Sequence, residues 1–296
     1  MIPYSLVQTN AELAALVARL RSDGVTRLAI DVEGENNLHR YGIHVALIQL
    51  FDGKNGAIVD VPAITDRGLL SQLLENAPWV LVWFDAANDL LSFQHALSLR
   101  PSPILDLAVA ARLLGNMGGL HALTGQPGSS SAKDKFQRAN WLRRPLSRAL
   151  LDYAISDVTH LLELADRLET ALKEKGLLAE FQARNQAAQD AERAWDPMSN
   201  YIRIPGYHRL PPDAQRQARL VWYARELYGR LRDVPPGTVA SKQEMRAIID
   251  KGLREAAGIT AFLNHGRKHF IVDARDLARM MVEAEAMCRA EPGRRP

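Results

Sequence analysis

Asp31 and Glu33 stand in "IDVEG", directly after an apolar run that ends at Ile30. In an extended strand alternate side chains share a face, so these two carboxylates point together while Ile30 and Val32 point the other way. Side by side they repel, and at the end of an apolar strand the chemistry that makes sense of them is a shared divalent cation. A third acid, Glu35, falls beyond the expected strand end and reads as part of a solvated loop. Asp89 follows "VLVWF" in the first turn of the next helix, where the helix dipole favours an acid in any protein. Tyr153 and Asp157 are four residues apart and share one face of a helix, a pattern that on its own belongs to surface more often than to a site. Asp106 and Asp152 are read as capping or supporting acids. His39, His44, His95, His121 and His160 have no metal-ligand spacing.

The elements that must position these groups follow from periodicity and turn signals. "TNAE" at Thr9–Glu12 is a capping box before "LAALVARL", and Gly24 suits the helix end. Residues 26–33, 44–52 and 56–61 read as three strands of a meander, and 79–84 as a short buried strand. Helical spacing covers 68–77, 87–99 and 105–115. The stretch 124–135, "TGQPGSSSAKDK", reads as a turn-rich loop, and 145–176 as one long amphipathic helix ending at Gly176. Sheet plus alternating helices predicts an α/β core. A charged helical stretch leads to a collar rich in Pro, Gly and aromatics at 195–212, followed by helices over 213–233, 241–252 and 273–290.

Length and charge narrow the class. A chain of 296 residues with 47% hydrophobic content is long enough for two domains with buried cores. No stretch reaches the apolar length of a spanning helix and no leader pattern opens the chain, so a soluble, cytoplasmic protein is expected. Its single cysteine, Cys288, rules out a disulfide framework or a thiolate zinc site within one chain. Residues 1–190 carry 18 Lys/Arg against 21 Asp/Glu and residues 191–296 carry 19 against 13, so a balance of −3 gives way to +6. Within the first part, 132–148 gathers six basic residues against one acid, a candidate phosphate-contacting edge. Trp222, Tyr223 and Tyr228 offer stacking surfaces for bases, with core the favoured reading for Trp222.

Taken together, Asp31 and Glu33, then Asp89, then "YAISD" at 153–157 resemble the three carboxylate motifs of the DEDD superfamily of 3′→5′ exonucleases, tyrosine subclass. "WLRRPLSRALLDYAISDVTHLLEL" (141–164), "ALIQLFD" (46–52) and "ILDLAVAARLLG" (104–115) resemble the ribonuclease D family in particular, and residues 207–249 resemble the HRDC module that follows the nuclease there. The resemblance implies a ribonuclease H-like mixed sheet flanked by helices over 1–190, a connector over 191–206 and a smaller all-α HRDC-like nucleic-acid-binding domain over 207–296. It implies a hydrolase that removes nucleotides from RNA 3′ ends as 5′-monophosphates, in maturation of tRNA or other structured RNA. Two divalent ions, Mg²⁺ or Mn²⁺, are expected on Asp31, Glu33, Asp89 and Asp157, with Tyr153 orienting the attacking water. Gln49, Lys133, Arg143 and Arg144 are the expected substrate contacts. No membrane or obligatory protein partner is expected. A DNA 3′→5′ exonuclease of the same superfamily and an inactive nucleic-acid-binding protein are the alternatives. Two departures stand out: Phe84 replaces the histidine common five residues before the second-motif acid, with Asp85 after it as a capping or supporting candidate, and Gly34 replaces a bulkier residue after Glu33.

Overall fold

The computed structural model describes residues 2–75, 77–125 and 136–290. They divide into two compact units. One comprises the chain up to Glu35 together with Ile43–Ala194, and the other comprises Asn36–Gly42 together with the chain from Trp195 onward.

The first unit is built on one six-stranded sheet: β1 (Tyr4–Val7), β2 (Arg27–Asn36), β3 (Ile43–Phe51), β4 (Gly56–Asp60), β5 (Val80–Trp83) and β6 (Ile104–Asp106). Their spatial order is β1-β4-β3-β2-β5-β6. β3 and β4 pair antiparallel, β1 runs parallel to β4, and β5 lies parallel to both β2 and β6. The central strands are buried on both faces, which is why they read as near-continuous apolar runs. On one face Leu28, Ile30 and Val45 pack against α1 (Asn10–Ser22), α2 (Arg67–Leu74) and α3 (Ala87–Ser92), the last continuing as a π-helical turn through Leu97. The α1 capping box forms as expected, Thr9 Oγ accepting from the Glu12 N–H. On the opposite face Ala29, Leu47 and Ile58 meet α4 (Leu107–Leu113), α6 (Arg148–Ser156), α7 (Leu161–Glu174) and α8 (Leu178–Asp190). A short helix, α5 (Leu120–Thr124), lies between α4 and α6 in the chain.

Three expectations are corrected. The long helix over 145–176 is two helices, broken at Asp157–His160. The break has a local cause: Ser156 Oγ donates to the Tyr153 carbonyl at 2.6 Å and Thr159 Oγ1 to the Ser156 carbonyl at 2.9 Å, side-chain bonds that compete with the helical ladder. Residues 105 and 106, read as the start of a helix over 105–115, belong to the edge strand β6, and the helix begins at Leu107. Glu35 is not in a solvated loop: β2 runs on to Asn36, and Glu35 is 2% exposed. Gly34 permits this, because a Cβ there would stand 2.7 Å from the His44 carbonyl oxygen of β3.

The second unit is helical. Its spine is α9 (Pro212–Arg232), accompanied by α10 (Pro236–Val239), α11 (Lys242–Asp250), α12 (Ala256–Asn264) and α13 (Ala274–Ala290). Ser241 and Glu244 form the capping box of α11. The collar folds into 3₁₀ turns at Pro197–Arg203 and Tyr207–Arg209. Trp222, Tyr223 and Tyr228 are core: the Trp222 indole donates to the Pro197 carbonyl at 2.8 Å, and the Tyr228 hydroxyl accepts from the Asp273 N–H at 2.8 Å. Residues 36–42 belong to this unit through Arg40, whose guanidinium lies 2.6 Å from Asp233, and Tyr41, edge-on to Trp195 with centroids 5.9 Å apart. No helix among the described residues is long and apolar enough to cross a membrane.

Candidate active site

Asp31 and Glu33 lie half-buried on β2, in register with Ala29 and therefore on the sheet face that receives α6. Asp89 sits in the first turn of α3. Its carboxyl is held well above the usual carboxylate range, first by burial and then by the negative charge of Asp31, with Asp85 and Asp106 adding to it and the Trp83 indole opposing. The second motif is thus brought against the first. Tyr153, on α6, carries the third. Its phenol is pushed up by burial, then by the charges of Asp157, Glu33 and Asp31, and by a hydrogen bond to Asp157. Asp157 occupies the C-cap of α6, at the break that follows Ser156. One phenol therefore feels carboxylates from β2 and from its own helix. Its ring lies 5.1 Å from that of Phe136 and 6.3 Å from that of the buried Trp141.

Several neighbours hold this arrangement. Asp106 caps α4 by accepting from the Ala108 N–H at 2.9 Å, and also accepts from the N–H groups of Asp85 at 2.9 Å and Ala86 at 3.2 Å. It therefore pins the turn from which the Asp89 helix springs. Asp85 is not a cap: it takes a left-handed conformation, φ 65°, and its carboxylate pairs with Arg112 at 3.3 Å. β6 is an edge strand, and α8 supplies what a further strand would. Asn185 donates to the Ile104 carbonyl and accepts from the Asp106 N–H, both at 2.8 Å, while Gln189 accepts from the Ile104 N–H at 2.9 Å. Sequence reasoning missed these two residues; their i,i+4 spacing on a charged helix was the available signal. Asp152 accepts from the Tyr4 hydroxyl and from Arg148, each at 2.8 Å, and so ties β1 to α6.

The expected substrate contacts fare differently. Arg143 is exposed at the turn before α6. Arg144 points inward: Nη2 and Nε grip the two oxygens of Asp60 at 2.5 and 2.8 Å, and the guanidinium also donates to the carbonyls of Trp141 and Ala46. Its donors are spent on the fold, which corrects the phosphate-contact expectation. Gln49 is wholly buried in β3, with neither amide atom hydrogen-bonded among the described residues, so it offers no surface to a substrate. Lys133 lies outside the described residues.

Among the described residues no three His, Cys, Asp or Glu side chains stand close enough to form a ready ligand cage. The donor chemistry nevertheless suits a hard divalent cation: the donors are carboxylate oxygens, with no thiolate beside them. Burial and the charge of Asp31 push the Asp89 carboxyl above the usual carboxylate range, and a cation between the two acids would offset that repulsion.

A family profile described as 3′–5′ exonuclease matches residues 4–173. Ribonuclease D of a Shewanella species is 26% identical over 285 residues, covering 95% of this chain and 73% of its own length. Ribonuclease D of Zymomonas mobilis is 32% identical over 251 residues, covering 82% of this chain and 62% of its own. The crystal structure of Escherichia coli RNase D, an exoribonuclease involved in structured RNA processing, superposes with a TM-score of 0.71 at 21% identity, over 96% of this chain and 76% of that one; at that identity the likeness is one of fold. The chain spans between about three fifths and three quarters of these relatives. It belongs to the 3′–5′ exonuclease family, in the branch of the ribonuclease D proteins.

Proposed function

We propose that the protein is a metal-dependent 3′→5′ exoribonuclease that shortens structured RNA, tRNA precursors among them, releasing nucleoside 5′-monophosphates in the cytoplasm. The observation that carries the reading is the convergence on Tyr153 of charges from Asp31, Glu33 and Asp157, with Asp89 drawn against Asp31. In this reading Asp31, Glu33, Asp89 and Asp157 hold two Mg²⁺ or Mn²⁺ ions, which when bound stabilise the charge developing on the phosphate and on the leaving oxygen. Tyr153 is a neutral phenol at working pH, as tyrosine ordinarily is, and its burial favours that form further. It therefore positions the attacking water by hydrogen bonding rather than taking its proton outright. Asp157, hydrogen-bonded to that phenol, sets its direction. Arg143 meets backbone phosphate without reading sequence. The helical unit, with its +6 balance over 191–296, acts as an HRDC-like RNA-holding domain.

The test uses labelled single-stranded RNA and DNA, each with a free or blocked 3′ end, with Mg²⁺, Mn²⁺ or chelator. Stepwise shortening of RNA from a free 3′ end only, abolished by chelator, is expected. Equal or faster loss of DNA would replace RNA by DNA as the substrate, and binding without products would overturn the enzymatic reading.

A further inference from the structure

Trp83 closes β5, and its indole is wholly buried. It packs edge-on against Phe93, with centroids 6.0 Å apart, and Phe93 lies on the π-helical continuation of the helix that carries Asp89. The ring is thereby fixed relative to that helix. Among the described residues its N–H has no partner in full hydrogen-bond geometry. A buried tryptophan N–H normally finds an acceptor, and leaving one unpaired is costly, whereas a phenylalanine would fill most of this volume with no such penalty. Asp89 stands four residues before Phe93 on that helix and so shares the face that meets the ring, and its carboxylate is the acceptor whose ionised form the indole favours. Asp31, Asp85 and Asp106 all repel that carboxylate.

We propose that Trp83 is a positioning residue for Asp89: its Nε1–H donates to the ionised carboxylate, holding one oxygen so that the remaining lone pairs face a cation. This rests on the metal-dependent reading above. Neighbours that orient a metal ligand typically matter by roughly 10- to 100-fold in metal affinity or activity. Trp83→Phe keeps an aromatic ring in the core and removes only the donor and part of the ring area.

The experiment measures Mn²⁺ binding to the protein by calorimetry, without RNA, alongside kcat, KM and Tm. For Trp83→Phe the expected result is Mn²⁺ affinity about tenfold weaker, kcat reduced with KM kept, and RNA affinity in chelator unchanged. Mn²⁺ affinity and kcat equal to those of the unsubstituted protein would overturn the proposal. Absence of Mn²⁺ binding by the unsubstituted protein would instead overturn the metal reading beneath it. A second measurement guards against a misfolded variant. The chain has five tryptophans, and on ¹⁵N-indole spectra one signal is expected to move on adding Mg²⁺ and to move again in Asp89→Asn. No indole signal responding to either change would also overturn the proposal.

Discussion

Arg144→Ala separates a structural arginine from a phosphate-binding one. The Asp60 side chain is 4% exposed and that of Arg144 27%. Both carboxylate oxygens face the guanidinium, at 2.5 and 2.8 Å, and among the described residues the other side-chain donor to Asp60 is Gln8 Nε2 at 3.1 Å. Removing the arginine strands a buried carboxylate. Breaking such a pair from one side costs about 3–5 kcal/mol, and because a quarter of the arginine remains in solvent the lower end, about 3 kcal/mol, applies. For a chain of this size that is a fall of roughly 6–12 °C in Tm. Scanning calorimetry in chelator reads it directly. Asp60→Ala in the same background should recover part of the loss, since no buried charge is then left unpaired. Arg143→Ala is the contrast: it should stay within about 0.5 kcal/mol in stability while lowering the salt slope of single-stranded RNA binding by roughly 0.7. Arg144→Ala with an unchanged Tm and a reduced salt slope would refute the structural assignment.

Tyr153→Phe should lose roughly 100-fold in turnover while binding RNA normally in chelator; near-normal turnover would end the positioning role of the phenol. Asn185→Leu should cost about 2 kcal/mol by urea denaturation, since it orphans the Ile104 carbonyl and the Asp106 N–H. Turnover should fall with it, because Asp106 anchors the turn ahead of Asp89; intact turnover would uncouple that edge from the site. Tyr4, hydrogen-bonded to Asp152, has its phenol pushed up to about 12 from 10.0, by burial first and then by that bond. The folded state thus keeps the proton longer, so the stability Tyr4 contributes is complete below pH 10 and is lost as pH rises towards 12. The gap in urea midpoint between the native chain and Tyr4→Phe should close over that range, and a constant gap would count against the bond.

The central strands and the flanking helices were legible because burial on both faces writes itself as apolar runs. The edges were not. β1 and β6 have four and three residues, and partners distant in sequence hold both: Tyr4 with Asp152, 148 positions away, and Ile104 and Asp106 with Asn185 and Gln189. The same limit applies at the site. The four carboxylates and Tyr153 could be picked out because their types and spacing are chemical signals. The packing of the Tyr153 ring against Phe136 and Trp141 depends on where a connection lands, and no periodicity encodes that. Arg143 and Arg144 are adjacent and identical in type, yet one faces solvent and the other a buried carboxylate, a distinction that appears only once Asp60 is in place.

Glu35 shows how a backbone detail can outweigh side-chain chemistry. An acid after a glycine reads as solvated loop, because charge seeks water and glycine marks turns. Here the glycine does the opposite. With no Cβ, Gly34 lets the His44 carbonyl approach to where a side chain would sit at 2.7 Å, so β2 stays close to β3 beyond Glu33. Gly34, Glu35 and Asn36 are then part of the strand, and Glu35 joins the parity of Asp31 and Glu33 inside the protein. The chain turns only at Asn37, in the left-handed region at φ 54°, where Oδ1 accepts from the Gly42 N–H at 2.7 Å and closes the loop base. Alanine at Gly34 would therefore act on the strand that carries both first-motif acids rather than on a loop beside them. Gly34 thus extends the strand that carries the proposed metal ligands Asp31 and Glu33.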